Sequence, residues 1–348
     1  HFGGVRNWDY RYCWLRDATF TLIGLIRCGY LDEARAWRGW LLRACAGDPS
    51  QASIMYGVAG ERRLPEMELP WLPGFHGSRP VRTGNGAWQQ RQLDVYGEVL
   101  DAMHQCWKSG IEPDADGWLV ERALVAFVTT AWREPDEGIW EVRGPRRHFT
   151  HSKIMAWVAM DRAVHAVEKF GMEGPVEAWR ALRDTIHAEV CSRGFSTARH
   201  TFVQSYGSED LDASLLMIPL VGFLPANDPR VIATVEAIER ELTVDGLVSR
   251  YIPRPEVDGL PAGESSFLLC SFWLVDCLAL MGRTADALRL FERLLAVRND
   301  VGLLSESYDR GARRLAGNFP QAFSHIGLIN SALYLAQGPT AATHIRES

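Results

Sequence analysis

Apolar residues recur at intervals of three and four positions along most of the chain, which is the spacing of α-helices that bury one face or more. Several predicted helix ends carry the expected residues: Asp17 at an N-cap position, Gly171 and Gly194 after two central helices, and Asp228–Pro229 before another. The pattern predicts eleven helices, over residues 17–29, 31–46, 88–109, 117–132, 151–170, 175–193, 210–220, 228–242, 264–281, 284–297 and 319–336.

Four long connections rich in Gly, Pro and Trp separate these helices: residues 57–87, 134–150, 243–263 and 298–318. Loops of this length in a compact domain usually carry function. A solenoid would show a repeat unit at a fixed spacing, and none is found. The pattern therefore favours a closed barrel of helical hairpins with a site at one end. No composition break marks an internal boundary, so residues 1–348 are expected to form a single domain.

Composition narrows the classes of partner. The 348 residues carry a formal net charge of −6, which argues against binding to a nucleic-acid backbone. The one basic run, from Arg143 to His148, is too short to change that interpretation. No apolar run approaches the ~20 residues that a membrane span needs, so no membrane partner is expected.

The seven cysteines are scattered and form no CxxC pair, which argues against a zinc ribbon and favours reduced thiols in a cytoplasmic setting. His148 and His151 have the spacing of a helix face, but no third ligand accompanies them. No phosphate-binding GxxxxGK[ST] loop occurs. Neither a metal nor a cofactor is expected.

Two loop glutamates are candidates for acid–base chemistry. Glu141 follows Trp140, and an indole neighbour lowers local polarity and favours a protonated carboxyl group. Composition alone favours the alternative, a pairing with Arg143 or Arg146 that would stabilise the carboxylate. Glu306 precedes Tyr308 in a second long loop, where an exposed glutamate without function is the alternative.

The densest aromatic and charged segment runs from Asn7 to Asp17. It holds four aromatic residues, two Arg and two Asp within eleven positions, immediately before a helix. Arg and Asp side chains form paired hydrogen bonds with neighbouring hydroxyl groups, and aromatic rings stack on sugar faces. This segment favours a carbohydrate-binding function.

The ordered segments NWDYRYCWLRDATF, MYGVAGE, GSRPVRTGNGAWQQRQLDVYGEVLDA, GIWEVRGPRRHFTHSK, QSYGSEDLDASLL, GLVSRY, LLSESYD and GNFPQAFSHIGLIN resemble glycoside hydrolase family 15 over nearly the whole chain. This family includes glucoamylase, glucodextranase and bacterial trehalase. The resemblance implies an all-α (α/α)6 barrel. Bacterial members carry an N-terminal β-sandwich domain and a first barrel helix before this signature, so the chain is expected to be a fragment that lacks both.

The resemblance also implies roles for individual residues. Glu141 would be the general acid and Glu306 the general base, while Arg16 and Asp17 would bind the nonreducing glucose. Ser307 stands where the family usually has a second acidic residue. Further substrate contacts are implied for Tyr10, Trp14, Arg82, Asn85, Trp140, Arg250, Tyr251 and Tyr308.

The implied reaction is an exo-acting, inverting hydrolysis of an α-glucoside that releases β-glucose. In an inverting enzyme the two carboxyl groups stand roughly 6.5–9.5 Å apart and leave room for a water molecule. The expected substrate is a small carbohydrate, with trehalose favoured over α-1,4- or α-1,6-linked gluco-oligosaccharides. Two alternatives stay open: a glycoside phosphorylase, for which the basic run at 143–147 could form a phosphate pocket, and an inactive homologue that binds sugar.

Overall fold

The computed structural model describes residues 3–254, 259 and 266–347, with side chains as far as Ala336. Residues 260–265 lie outside this description and include the end of the predicted loop 243–263 and the start of the predicted helix 264–281. The chain forms two compact units. Unit A is Val5–Cys191, and unit B is Ser192–Ser348 together with His1–Gly4.

The described residues contain eleven α-helices, one at each predicted location: α1 Leu15–Arg27, α2 Leu31–Cys45, α3 Asp94–Lys108, α4 Ala115–Ala131, α5 Thr150–Phe170, α6 Val176–Arg193, α7 Met217–Leu220, α8 Pro229–Glu241, α9 Leu268–Leu280, α10 Thr284–Leu295 and α11 Ala322–Glu347. The largest differences are at α11, which ends eleven residues later than predicted, and at α7 and α3, which start seven and six residues later. The Asn85 side chain caps a separate short 3-10 turn, Gly86–Gln89, just before α3.

Most predicted helix ends are confirmed. The Asp228 carboxylate accepts the Arg230 N–H at the start of α8, and Gly171 ends α5 in the left-handed conformation. The N-cap prediction for Asp17 is wrong, because α1 begins at Leu15 and Asp17 lies in its first turn. The Leu15 N–H bonds to the carbonyl of Ile54, so an extended segment leads directly into the helix.

The segments outside the helices contain short strands that pair in antiparallel fashion, and the periodicity did not predict them. The described residues contain four two-stranded sheets and one three-stranded sheet, all antiparallel. Their strands are two or three residues long, too short for an alternating pattern to be visible. They are β1 Cys13–Trp14, β2 Met55–Tyr56, β3 Met67–Glu68, β4 Arg82–Thr83, β5 Phe195–Ser196, β6 Thr201–Phe202, β7 Thr243–Val244, β8 Leu247–Val248, β9 Ser266–Phe267, β10 Ser307–Asp309 and β11 Arg314–Ala316.

Unit A is built around α3, which is buried from Asp94 to Trp107 and packs against α1 and α5. A Cβ added at Gly97 would lie 2.2 Å from the carbonyl oxygen of Met155, so the α3 and α5 backbones are in close contact. The Thr19 hydroxyl donates to the carbonyl of Glu98 and joins α1 to α3. These contacts fix the starts of the three helices, where the candidate site lies.

Unit B is built around α9, in which every residue from Leu268 to Ala279 is buried. It packs against α10 and α11, and the Ser331 hydroxyl of α11 bonds to the buried carboxylate of Asp276. All seven cysteines are free thiols, and four of them are buried. Within the described residues, no helix combines the length and the apolar character that crossing a bilayer requires.

Candidate active site

The loop that carries Glu141 is held in shape at several points. An isolated β-bridge between Asp136 and Arg147 closes its base. A Cβ on Gly138 would meet the Phe149 ring at 2.7 Å, so only glycine fits there. Glu141 itself has a φ of 50°, a left-handed conformation that non-glycine residues rarely adopt. Such backbone strain persists only where the surroundings impose it, and it is found most often at functional positions.

Arg16 connects this loop to α1. Its Nη1 donates to the Ile139 carbonyl at 2.7 Å and lies 3.3 Å from Oε1 of Glu141. Its Nε and Nη2 lie 3.1 and 2.9 Å from Oδ2 of Asp17. One guanidinium therefore holds a loop carbonyl and two carboxylates, and the side chains of Arg16 and Glu141 keep only 12% and 20% of their surface exposed.

Aromatic residues extend the same side of unit A. Tyr10 stacks on Trp14 with ring centroids 5.5 Å apart. Tyr10 is 37% exposed and offers a ring face, whereas Trp14 and Trp140 are 7% and 8% exposed. Of the three aromatic contacts predicted in unit A, Tyr10 is therefore the one with substantial accessible surface.

Three buried titratable groups, Asp94, Asp136 and His151, lie at the starts of α3 and α5, and none of them was predicted to belong to this region. Burial raises the pKa of Asp94 to about 7 and that of Asp136 to about 6. Burial, reinforced by the charge of Arg16, lowers the pKa of His151 to about 3, so its imidazole is neutral.

Glu306 lies in unit B, immediately before β10. Its Oε2 accepts hydrogen bonds from the backbone N–H and the side-chain amide of Asn318, at 3.2 and 3.3 Å. Gly317 has a φ of 77°, and a Cβ there would lie 2.6 Å from the same Oε2. The carboxylate is thus held between two N–H donors and a position that has room only for glycine.

Three further residues that were predicted to contact the substrate, Tyr308, Tyr251 and Arg250, lie in unit B. Tyr308 of β10 lines a cavity of about 560 Å³ together with Asp245, Arg293, Arg310 and Arg313. Tyr251 is 4% exposed and pairs with Asp212 in an isolated bridge. The Arg250 guanidinium lies 5.0 Å from the centroid of the Phe267 ring.

Comparison with known proteins identifies the family. The family model "Glycosyl hydrolases family 15" matches residues 4–333. The chain belongs to glycosyl hydrolase family 15.

Two curated relatives of this family 15 chain carry the name trehalase. The protein from Mycolicibacterium smegmatis is 46% identical over 343 residues, which are 97% of this chain and 51% of that protein. The protein from Mycobacterium tuberculosis is 44% identical over 342 residues, 97% of this chain and 50% of that protein. The chain therefore spans about half the length of these relatives.

A solved structure confirms the mostly helical fold of the family. A bacterial glucoamylase in complex with acarbose superimposes with a TM-score of 0.70 at 13% identity, over 97% of this chain and 52% of that chain. At this identity the likeness concerns the fold alone.

Two family 15 positions predicted to border the sugar have protein partners. Arg82 donates to the Asn7 carbonyl at 2.6 Å and lies 3.4 Å from a Glu66 carboxylate oxygen. The Asn85 amide donates to the Asp9 carbonyl, and its oxygen accepts the Ala87 N–H. Both side chains hold the segment around Asp9 in place.

The basic run at 143–147 is largely neutralised within unit A. Arg143 lies 3.3 Å from Glu66, and Arg146 lies 2.9 Å from Glu137. Arg143 and Arg146, the alternative partners predicted for Glu141, thus pair with other carboxylates. Arg16 contacts Glu141 instead. Within the part of the chain that is described, no group of three or more His, Cys, Asp or Glu has the arrangement of a metal site.

Proposed function

We propose that this chain is the catalytic part of a trehalase that hydrolyses α,α-trehalose with inversion of configuration. One observation carries the catalytic proposal: Glu141 is held in a strained conformation within the loop that the Asp136–Arg147 bridge closes, with its carboxyl group beside Arg16. The names of the two relatives at 44% and 46% identity support trehalose as the substrate.

In the proposed reaction, Glu141 donates its proton to the glycosidic oxygen as the bond to C1 breaks. Glu306 takes a proton from the water that attacks C1 from the opposite face. The attacked ring leaves as β-glucose, and the other glucose keeps its α configuration. The N–H donors of Asn318 support the role of Glu306, because they stabilise a carboxylate, the form that a general base needs.

Substrate binding is proposed for the remaining candidate residues. Arg16 and Asp17 would bind hydroxyl groups of the nonreducing glucose, and Tyr10 would stack on a sugar face. Contacts are further proposed for Trp14, Arg82, Asn85, Trp140, Arg250, Tyr251 and Tyr308.

The finer architecture belongs to the same proposal. We expect residues 1–348 to act as one (α/α)6 catalytic domain, and the chain spans about half the length of the two relatives named trehalase. The cytoplasmic setting rests on the cysteine pattern and stays a prediction.

The decisive test is an anomer-resolved assay on the purified chain. Fresh product from trehalose should contain α- and β-glucose in equal amounts by NMR before mutarotation, with no dependence on phosphate. Glu141→Gln and Glu306→Gln should each remove at least about 99% of the activity. Glu236→Gln, at an exposed position of α8, serves as the control and should retain it.

Other outcomes would replace the proposal. Glucose release from maltotriose or isomaltose but not from trehalose would reassign the substrate. Formation of a sugar phosphate in the presence of phosphate would indicate a phosphorylase. Sugar binding without turnover would indicate an inactive homologue.

A further inference from the structure

Asp94, the first residue of α3, is a buried acid with an unusual environment. It is 1% exposed, and neither of its carboxylate oxygens has a hydrogen-bond partner among the described residues. A buried carboxyl group without a partner is costly for folding. Such a cost is usually tolerated at functional sites, so the surroundings of Asp94 are informative.

Helix packing brings Asp94 to the level of Arg16. The bond from the Thr19 hydroxyl to the Glu98 carbonyl aligns α1 and α3 about one turn from the start of each. Arg16 is three residues before Thr19, and Asp94 is four residues before Glu98. Arg16 shares a helix face with Thr19, and the charges of Arg16 and Asp94 shift each other's pKa, so the two side chains lie near each other at neighbouring helix starts.

The start of α5 lies against the same region. Gly97 contacts the backbone at Met155, and His151 is one turn before Met155. Lys153 is directed away, because its ammonium donates to the carbonyls of Trp132 and Glu134. The charged or titratable groups on the elements around Asp94 are thus Arg16 and Asp17 of α1, Asp136 and Glu141 of the loop, and His151 and Lys153 of α5.

The charges of these groups shift the pKa of Asp94. Burial is the main reason that the pKa of Asp94 rises to about 7, and the negative charges of Asp136 and Glu141 raise it further. Arg16 opposes this shift. Asp94 and Glu141 are therefore two acids that interact with each other and with one guanidinium.

We propose that Asp94 is a positioning residue for Glu141. Asp94 acts through Arg16 and favours the protonated form of Glu141, the proposed general acid. The inference rests on the proposed role of Glu141. A guanidinium beside a general acid favours its ionised form, which cannot donate a proton. Where Asp94 is ionised, its negative charge offsets this effect, so that Glu141 retains its proton to higher pH.

The first experiment compares pH profiles of kcat/KM for trehalose. In Asp94→Asn, which keeps the side-chain shape, the basic limb should move to lower pH by about one unit, so that activity well above the limb falls about tenfold. Glu121→Gln is the matched control, since Glu121 of α4 is also buried (2% exposed) but interacts with Arg38 and Asp114 instead. The pH profile of Glu121→Gln should keep both limbs at the same pH as in the unchanged chain.

Two results would overturn the inference. A uniform loss of activity in Asp94→Asn with unchanged limbs would mean that Asp94 has only a packing role. An equal shift in Glu121→Gln would mean that the limb responds to any buried charge.

The second experiment requires neither turnover nor a folded Asp94→Asn variant. Infrared titration of the chain with 13C-labelled aspartate follows the protonated Asp94 carboxyl band. Because coupling between two groups is reciprocal, Glu141→Gln should move its midpoint to lower pH by about one unit. An unchanged midpoint would refute the coupling. If the chain hydrolyses no α-glucoside, the proposed function fails, while this titration still decides whether Asp94 and Glu141 interact.

Discussion

Nη1 of Arg16 lies 3.3 Å from Oε1 of Glu141 and also donates to the carbonyl of Ile139, two residues earlier. One side chain thus fixes both the carboxyl group and the backbone that presents it. Because Glu141 adopts a left-handed conformation, this backbone needs such a support. The position of the proposed acid therefore depends on a residue of a different helix.

Arg16→Lys should lower kcat/KM by about a hundredfold, because a lysine cannot contact the Ile139 carbonyl, Glu141 and Asp17 at once. Steady-state kinetics with trehalose measure this. The control is Arg35→Lys, at a solvent-exposed pair with Asp32, where activity should be unchanged. A fully active Arg16→Lys would show that one positive charge is sufficient. The simultaneous contacts of the guanidinium group with Ile139, Glu141 and Asp17 would then not be needed.

Gly317→Ala should impair the proposed base more than the fold. A Cβ there would lie 2.6 Å from Oε2 of Glu306, so the carboxylate must move away from Asn318. Gly302→Ala is the control: Gly302 has a similar positive φ of 87° but open space around it. Each variant should lose about 1 kcal/mol of unfolding free energy from backbone strain.

The comparison of these two glycine variants separates strain from displacement. Gly317→Ala should also lose about tenfold or more in kcat, since small displacements of a catalytic group are costly. Gly302→Ala should keep its kcat. Equal kcat in both variants would contradict a catalytic role for Glu306.

The helices of this chain could be predicted because their signal is local. Burial of one helix face repeats every three to four residues, and all eleven predicted locations contain a helix. The N-cap prediction for Asp17 failed because a long-range bond, from Leu15 to Ile54, starts the helix earlier. The strand pairs were missed because segments of two or three residues carry no periodicity.

The candidate site was predictable only in part. Glu141 and Arg16 could each be named, but their contact joins residues 125 positions apart and follows from the packing of α1 against the loop. Asp94 was not singled out, because its burial and its lack of partners arise from the contacts of α3 with two other helices. A sequence pattern indicates residue type and helix face, whereas such charge clusters depend on tertiary packing.

Gly97→Ala should destabilise unit A by about 1–3 kcal/mol, because the added methyl group would lie 2.2 Å from a backbone oxygen of α5, which cannot rotate away. Gly39→Ala in α2 is the matched control. Its new methyl group would meet only the end of the Arg43 side chain at 3.4 Å, so it should stabilise the helix by about 0.5–1 kcal/mol. Chemical unfolding measures both, and equal effects would mean that α3 and α5 can separate without cost.

His104 should make the fold sensitive to acid. Its imidazole is 3% exposed, between His165 and Phe170, and burial is the main reason that its pKa falls to about 3. The unfolded chain takes up this proton below about pH 6.5, whereas the folded chain does not until about pH 3. The unfolded state thus binds more protons in that window, so the free energy of unfolding falls as the pH is lowered through it.

Replacing this histidine should reduce the acid sensitivity. Between pH 6 and 4, His104→Leu should lower the slope of unfolding free energy against pH by up to about 1.4 kcal/mol per unit, the limit for one proton. Urea unfolding at several pH values measures the slope. His76→Leu is the control, since His76 is exposed and its substitution should leave the slope unchanged. An unchanged slope in His104→Leu would mean that the buried imidazole takes up its proton in the folded state as readily as in the unfolded chain.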